Sequence, residues 1–232
     1  MIEPHSLCIK VSDTKICVHW YSSEIIKNGH TKTHKQQFFC KNCKKRFIDF
    51  YSYNAYKRNT NNLIVQFIKE GLGIRSISRI LKISTTTLLK RITKISHTVM
   101  RPIIALNKQY ELDELRFFIR KKKNTLWLVY AIDKETKEVA NFYIGKRNNK
   151  TLNAVIKTLV YSKASKICTD NLKNYKFLIS EKIHSVKRFS TNYIERKNLT
   201  IRTHLKRFQR KTICFSKSIP ITVAILKIYF WW

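Results

Sequence analysis

Three carboxylates, Asp113, Asp170 and Glu195, stand out in a chain that is otherwise strongly basic. The 232 residues include 47 lysines and arginines against 14 aspartates and glutamates, a net charge of +33. Beyond Glu138 the only acidic residues are Asp170, Glu181 and Glu195. A surface that binds polyanions has little use for a carboxylate unless it binds a cation, and Mg²⁺ takes oxygen ligands and accompanies phosphate chemistry. The three acids therefore favour an enzyme that processes phosphodiesters over a passive binder.

The composition indicates a folded protein with a polyanionic partner. Apolar residues make up 44% of the chain and glycine and proline are scarce, so the chain is not a disordered basic tail. Nucleic acid is favoured over a membrane surface, because no segment offers the roughly 18 uncharged apolar residues of a spanning helix. The apolar run Ile219–Trp232 is short and contains Lys227, which predicts a core or interface helix. Met1–Lys10 does not resemble a secretory signal, so we expect the six cysteines in a reducing cytoplasm, as metal ligands or buried thiols.

A sheet that could bring the carboxylates together is predicted from Glu111 onward. Strands are predicted at 112–119, 126–132, 139–144 and 166–169, a basic turn at 120–124, an extended stretch at 183–189, and helices at 151–159, 171–179 and 191–209. A three-stranded meander followed by helix, strand and helix is the order of an RNase H-like mixed α/β sheet.

In this fold the three acids come from three elements and can converge on two cations. Asp113 lies on the first strand, Asp170 at the carboxyl end of the fourth, and Glu195 on the last helix. Each acid also has an ordinary explanation, since an isolated aspartate in a strand-to-helix connection is most often a cap. Glu114 should point to the opposite strand face from Asp113 and is the less favoured ligand.

Residues 61–95 predict three short helices of a helix-turn-helix. Apolar residues recur at helical spacing, the first helix ends near Gly71 and Gly73, and Ser84 is a suitable N-cap for the third. The third helix would read DNA through Thr85, Thr86, Thr87, Lys90 and Arg91. An ordinary three-helix bundle is the alternative.

The pair Cys40 and Cys43 has the spacing of half a zinc site, and zinc requires a second half-site. Cys17 lies where that half-site should be, but Trp20 occupies the position of its second cysteine. His19 or Cys8 could substitute, although neither has the usual spacing. The alternatives are a zinc site at Cys17, Cys40 and Cys43 or ordinary cysteines with no metal.

The stretch from Tyr193-Ile194-Glu195-Arg196-Lys197-Asn198 through Ile213-Cys214-Phe215-Ser216-Lys217-Ser218 resembles the signature of the IS-one family of bacterial insertion-sequence transposases. Asp113-Glu114, the strand Trp127–Ala131 and Thr169-Asp170 followed by Tyr175 agree with that family. So do Ile25–Gly29, Cys40–Cys43 and the helix-turn-helix, and the resemblance covers nearly the whole chain. One departure is the first cysteine half-site, which is Cys-Pro-x-Cys in the family, whereas this chain has Val18 and Trp20.

The resemblance implies a DDE transposase with Asp113, Asp170 and Glu195 as the triad for two Mg²⁺ ions, which Mn²⁺ could replace, and Zn²⁺ in the cysteine module. It implies an α/β protein of several modules: a zinc-knuckle-like segment at 1–56, a helix-turn-helix at 57–102 and an RNase H-like catalytic domain at 103–232. Expected partners are the transposon ends, target DNA and further copies of the chain, in the bacterial cytoplasm at the nucleoid and without a membrane.

A basic track on and after the last predicted helix should hold the DNA backbone. It consists of Asn198, Arg202, Lys206, Arg207, Arg210 and Lys211. Asn198 and Arg202 follow Glu195 on roughly one helix face and are candidate phosphate or metal-shell contacts, although Arg202 could equally be a solvated charge. The rival interpretation is a catalytically inactive copy or a DNA-binding repressor that uses only the helix-turn-helix. A basic RNA-binding protein ranks last, because no RNA-binding module is recognisable.

Overall fold

The computed structural model describes residues 15–48, 54–57, 59–187 and 190–232. Its contacts divide the chain into two compact units, one ending at Tyr56 and the other beginning at Lys57. The three predicted domain boundaries stay predictions, because contacts divide a chain by packing and not by function.

The first unit contains a small antiparallel sheet of β1 (Ile25–His30), β2 (Gln36–Cys40) and β3 (Arg46–Ile48), in that order. Phe38 and Phe47 lie opposite each other on β2 and β3, with ring centroids 5.7 Å apart. Together with Cys17 and Cys40 they form a small buried cluster. A core this small suits a module that a metal would stabilise further, in keeping with the predicted zinc-knuckle-like segment.

The second unit begins with α1 (Thr60–Lys69), α2 (Ile74–Leu81) and α3 (Thr85–Thr98), the three helices predicted from the sequence. Ser84 caps α3 as predicted, since its hydroxyl accepts a hydrogen bond from the Thr87 backbone N–H at 3.1 Å. Ile64, Ile77 and Leu88, one from each helix, are completely buried. The apolar residues that recur at helical spacing in the sequence are thus the ones that pack between the three helices.

The second unit continues as a mixed five-stranded sheet, formed by β4 (Gln109–Ile119), β5 (Lys121–Asp133), β6 (Val139–Gly145), β7 (Lys166–Cys168) and β8 (His184–Ser185). The strand order is β6-β5-β4-β7-β8. The first three strands pair antiparallel, and β7 and β8 continue parallel to β4. This order and these directions are the predicted RNase H-like arrangement, and they make β4 the central strand.

Helices cover both faces of the sheet, because alternate residues of its long strands point in opposite directions. Leu112 and Val129 pack against α4 (Asn149–Tyr161) and, with Tyr175, share one core with α5 (Lys173–Leu178). The opposite face carries α6 (Asn192–His204), and α7 (Ile219–Trp231) packs against β6. Nearly unbroken apolar runs in β4 and β5 therefore reflect burial on two sides.

Helix α6 is shorter than predicted. The apolar stripe favoured one helix over 191–209, but α6 ends at His204 and a 3-10 turn follows at Lys206–Phe208. Because the helix ends there, Phe208 packs against the sheet, and its ring centroid lies 4.9 Å from that of Phe117 on β4. Tertiary packing thus overrides helical periodicity.

Helix α7 joins the helical part of the second unit to the sheet. It packs against α1 and α3, while Phe230 and Trp231 contact Phe142 of β6. The Trp231 indole donates a hydrogen bond to the carbonyl of Val139 at 2.7 Å. The prediction of a core helix is confirmed. Among the residues described, no helix has the length and apolar character needed to span a bilayer.

We predict that Gly71→Ala destabilises the second unit by about 2–4 kcal/mol. Gly71 has a φ of +77°, and an added Cβ would lie 2.4 Å from the carbonyl oxygen of His204 at the end of α6. Urea unfolding followed by circular dichroism measures the loss.

Gly73→Ala is the matched control, because a Cβ there meets nothing within 4 Å. It should cost less than about 1 kcal/mol as a change of N-cap residue. Equal effects of the two variants would contradict the close approach of Gly71 to α6.

Candidate functional site

Strand pairing brings Asp113 and Asp170 together. In the parallel pair of β4 and β7, Glu111 lies opposite Cys168. Two residues further along, Asp170 lies just beyond the end of β7, next to Asp113, which is still within β4 and paired with Tyr130 of β5. Oxygen atoms of Asp113, Glu114 and Asp170 all lie within 4.8 Å of one another. The structure therefore brings together two of the three predicted catalytic residues.

Glu114 is the third member of this carboxylate cluster, and two partners hold it. It is nearly buried, and its Oε1 accepts a hydrogen bond from the Tyr175 hydroxyl. Its Oε2 accepts one from Arg147 Nη2 at 3.0 Å, and the Arg147 guanidinium lies 4.6 Å from the ring centroid of Trp127. Alternation along β4 does turn Glu114 towards α5, yet its carboxylate still reaches the group.

On the other face of β4, Asn198 holds Asp113. Its amide nitrogen donates to Asp113 Oδ2 at 2.6 Å, and its amide oxygen accepts from the Tyr130 hydroxyl at 2.8 Å. Asn198 is buried, so within this structure it orients a carboxylate, and its predicted role at DNA stays a prediction. The Glu114 backbone N–H donates to Asp113 Oδ1 at 2.7 Å, which fixes the second oxygen.

Glu111, which the sequence reasoning missed, anchors helix α6. It is completely buried, and its Oε2 accepts the Ile194 backbone N–H at 2.8 Å. Thr191, the N-cap residue, makes no side-chain cap bond of its own, so Glu111 supplies an acceptor from a neighbouring strand. Burial raises the pKa of Glu111, and the Ile194 N–H opposes that shift. Its other oxygen has no hydrogen-bond partner among the described residues, with Lys134 Nζ 3.7 Å away.

Glu195 is not part of the carboxylate cluster in this structure. It lies exposed in the first turn of α6, where its Oε1 accepts a hydrogen bond from the Thr191 hydroxyl at 3.0 Å. It lines an open groove on the outer side of the helix with Tyr193, Arg196 and Leu199. Its role as the third catalytic acid stays a prediction.

The cluster has a donor set that suits a hard divalent cation. Three carboxylates supply oxygen ligands, the type that Mg²⁺ and Mn²⁺ prefer. Burial, together with the neighbouring charges of Glu114 and Asp170, raises the pKa of Asp113 to about 6, although the Glu114 backbone N–H opposes the shift. Such carboxylates repel one another, and a cation between them would relieve that repulsion.

The predicted backbone-binding residues fall into two groups. Arg202 is half-buried, its Nε has no hydrogen-bond partner among the described residues, and desolvation lowers its pKa. Burial also lowers the pKa of Arg207. Lys206, Arg210 and Lys211 are exposed in the segment after α6. The exposed group is fully available to a polyanion, whereas Arg202 and Arg207 are only partly exposed.

On helix α3, Thr85, Thr86 and Lys90 are exposed, as a reading helix requires. Thr87 instead completes the cap with Ser84, and Arg91 Nη1 donates to Asn61 of α1 at 2.7 Å. The DNA-reading role of these five residues stays a prediction.

In the first unit, Cys17, Cys40 and Cys43 bring their sulfur atoms within 4.8 Å of one another. The backbone N–H of Cys43 lowers the pKa of Cys40, whereas burial raises that of Cys43. Three thiols fit a zinc ion in part, and no fourth side-chain ligand joins them among residues 15–48. Trp20 is 68% exposed at the vacant family position, and Cys8 lies outside the described residues.

An RNase H-like sheet with acidic side chains gathered between β4 and the end of β7 fits a nucleic-acid-processing enzyme. The family model of the IS1 transposase matches residues 107–230. The chain belongs to this family, which confirms the resemblance seen in the sequence and supports an enzyme of the DDE type.

Three relatives illustrate the match. The insertion element iso-IS1n protein InsB of Shigella dysenteriae is 35% identical over 116 residues, which are 50% of this chain and 88% of that protein. The IS1 protein InsB of Shigella flexneri is 31% identical, over 51% of this chain and 91% of that protein. An IS1 protein InsB of Escherichia coli K12 is 32% identical, over 51% and 71% respectively.

Two solved structures are more distantly similar. A chain of the simian T-cell lymphotropic virus intasome, in complex with PP2A regulatory subunit B56 gamma, has a TM-score of 0.38 and 16% identity, covering 70% of this chain and 66% of that chain. The trimeric HTLV-2 integrase catalytic core with magnesium has a TM-score of 0.34 and 18% identity, covering 55% and 86%. Because both TM-scores are below 0.5, the fold assignment rests on the strand order itself.

The raised pKa of Asp113 predicts a pH-dependent gain of stability in Asp113→Asn. The folded protein keeps this proton up to about pH 6, whereas the unfolded chain loses it near 3.8. Stability of the metal-free wild type should therefore fall across that window relative to the variant, by up to about 3 kcal/mol. Urea unfolding between pH 4 and 7.5 in chelator measures the difference, and a pH-independent difference would contradict the buried charge.

Zinc affinity should rise in Trp20→Cys. The substitution restores the fourth thiolate. The free energy of zinc binding in a structural site is ~10–16 kcal/mol, so one of four ligands contributes about 3 kcal/mol. We therefore expect roughly 100-fold tighter zinc binding. Competition with a chromophoric chelator measures the affinity. Cys40→Ser in the same background should reverse the gain, and unchanged affinity in Trp20→Cys would exclude a site completed at position 20.

Proposed function

We propose that this chain is the transposase of its own insertion sequence. It binds the terminal repeats of the element and hydrolyses a phosphodiester at each end, which breaks the bond to the 3′ oxygen and frees a 3′-OH. That hydroxyl then attacks a phosphodiester of the target DNA in the same site.

The observation that carries the proposal is the close approach of Asp113 on β4 and Asp170 just after β7, beside the helix that bears the family signature. Asp113 is tied to that helix through Asn198. A cap or a solvated charge would explain either aspartate alone, but not two that share a site with Glu114 in so basic a chain.

Asp113, Asp170 and Glu195 would hold two Mg²⁺ ions, with Mn²⁺ as a substitute. Bound Mg²⁺ supplies Lewis-acid stabilisation of the attacking and leaving oxygens. A hydrogen bond from Asn198, which is itself held by Tyr130, keeps the Asp113 carboxylate in one orientation. Hydrogen bonds from Tyr175 and Arg147 hold Glu114, so that it does not displace Asp113 as a metal ligand. The Arg202 guanidinium contributes positive charge on the Asp113 side, where a DNA phosphate must approach.

To act as the third acid, Glu195 would have to turn its side chain from the outer groove of α6 towards Asp113 and Asp170. It precedes Asn198 by three residues, which puts both on adjoining positions of one helix face. In that position Glu195 would give up its hydrogen bond from the Thr191 hydroxyl and would be a ligand for the cation. One hydrogen bond to an exposed hydroxyl costs only about 1 kcal/mol to give up, so cation binding can drive the rearrangement.

The partners that follow from this function are the element's ends and a target duplex. The exposed Thr85, Thr86 and Lys90 on α3 would read the end sequence, and the basic track would bind phosphates. Two ends must be held together during strand transfer, so at least a dimer is expected. The bacterial nucleoid is the expected location.

A DNA-binding repressor or inactive copy is the second candidate. The outward position of Glu195 and the tryptophan at position 20 favour it, because each removes a ligand from a family metal site. The two candidates share DNA binding and differ in chemistry.

A DNA-cleavage assay distinguishes the active transposase from the repressor or inactive copy. Purified protein is given labelled duplexes with the element's own termini in Mg²⁺ or Mn²⁺, and nicking and strand transfer are followed on denaturing gels. We expect metal-dependent nicking at the terminus, reduced at least ~1,000-fold in Asp170→Asn, with DNA affinity unchanged within about twofold.

Glu181→Gln is the control, because it removes an exposed acidic charge from a position outside the cluster. Its cleavage should equal that of the wild type. Specific binding without nicking by the wild type would favour the repressor, and undiminished cleavage by Asp170→Asn would refute the triad.

A further inference from the structure

The outer part of the β4–β5 hairpin extends beyond the rest of the sheet. Strand β6 pairs with β5 only as far as Trp127, opposite Gly145, and β7 pairs with β4 only over Gln109–Glu111. Residues 116–126 therefore form a two-stranded extension, here called the ribbon. Near its tip Phe118 lies opposite Thr125 and Ile119 opposite Lys121, so residues 122–124 bulge out of the ladder.

The ribbon is fixed to the segment that follows α6. Phe117 packs on Phe208, and the rings of Phe118 and Phe215 lie 6.0 Å apart, nearly perpendicular. The Arg120 backbone N–H donates to the carbonyl of Ser216 at 2.8 Å. Aromatic packing on both faces and a backbone contact at the tip make the ribbon and residues 206–217 one structural unit.

This combined unit presents cations and no carboxylates. The exposed basic residues of the ribbon are Arg116, Arg120, Lys121, Lys122 and Lys123. Those of the following segment are Lys206, Arg210, Lys211 and Lys217. The sequence has no aspartate or glutamate between Glu114 and Asp133, or after Glu195. None of these nine cations forms an ion pair within the described ranges. So many unpaired like charges on one rigid surface repel each other unless a polyanion lies across them.

The chemistry of the surface fits a DNA backbone better than unpaired bases. Single-strand sites combine charge with exposed aromatic rings on which bases stack. Here Phe117 and Phe118 are buried, and Arg147 covers Trp127. Lysines on a bulged tip offer flexible point charges to phosphates and no fixed fork for reading base edges.

We propose that the ribbon, together with residues 206–217, is a docking surface for the phosphate backbone of duplex DNA that continues away from the catalytic edge. The inference rests on the proposed function and extends the basic track to Lys121–Lys123. Asp113 lies on β4, eight residues before Lys121 at the start of β5, so the tip is roughly 25 Å from the carboxylates, about seven base-pair steps of B-form DNA. The surface thereby holds duplex flanking the bond that is cut.

The test is the salt dependence of DNA binding by the full chain. Fluorescence anisotropy with a labelled 40-base-pair duplex of the element's terminus gives Kd between about 50 and 300 mM salt. The variant Lys121→Gln/Lys122→Gln/Lys123→Gln keeps Arg120, whose backbone N–H holds the tip. Loss of about three phosphate contacts should reduce the slope of log Kd against log salt by about 2–3, with binding 10–100-fold weaker near 150 mM.

A matched triple variant, Lys157→Gln/Lys163→Gln/Lys182→Gln, removes the same charge from exposed positions on α4 and later loops. Its slope should stay within about 0.5 of the wild type. Equal changes in the two triples would overturn the proposal, since net charge alone would then explain binding. An unchanged slope in the ribbon variant would overturn it too.

Failure of this proposal is distinguishable from failure of the proposed function. If the ribbon variant binds and nicks like the wild type, the docking surface is wrong and the transposase stands. If the wild type binds DNA tightly with a steep salt slope but does not nick it, the catalytic proposal fails. The salt slopes of the two triple variants then still test whether the ribbon binds DNA. Circular dichroism melting within about 2 °C of the wild type ensures that the ribbon variant is folded.

Discussion

The site depends on one buried contact, in which Glu111 accepts the Ile194 backbone N–H at the start of α6. A helix N-terminus carries unpaired donors and partial positive charge, and a carboxylate inside the protein needs both. The contact fixes α6 against β4, and Asn198 adds a second connection one turn later, to Asp113. Strand β4 also pairs with β7 and so sets the position of that strand. One strand, β4, therefore determines where Asp113, Asp170 and α6 lie.

That arrangement concentrates carboxylates at a cost in stability. Asp113 is largely buried beside two other acids, and its pKa is raised accordingly. Hydrogen bonds from Asn198 and from the Glu114 backbone offset part of the repulsion, and Arg147 and Tyr175 do so for Glu114. Without a cation such a cluster costs stability, which fits the divalent-metal site that its donor set suits.

The sequence predicted the strand order, the three N-terminal helices and the pairing of Asp113 with Asp170, because these follow from local periodicity and from the rule for carboxyl ends of strands. It did not reveal Glu111 or the Arg147 and Tyr175 partners of Glu114. Those contacts join residues distant in sequence, and only the packed structure brings them together. The early end of α6 was missed for a related reason, since Phe208 leaves the helical stripe to pack on Phe117. Rotamers such as that of Glu195 depend on ions and ligands, which periodicity does not encode.

The position of α7 has a consequence for how the chain acquires its structure during synthesis. This helix packs against α1 and α3, although at least 120 residues separate it from them. The apolar faces of α1 and α3 therefore stay uncovered until Ile219–Trp231 has been synthesised. Chains interrupted before Ile219 would leave those faces exposed, and such products would be ready substrates for chaperones and proteases. The helices predicted to bind DNA thus become fully packed only after all three residues of the carboxylate cluster have also been synthesised.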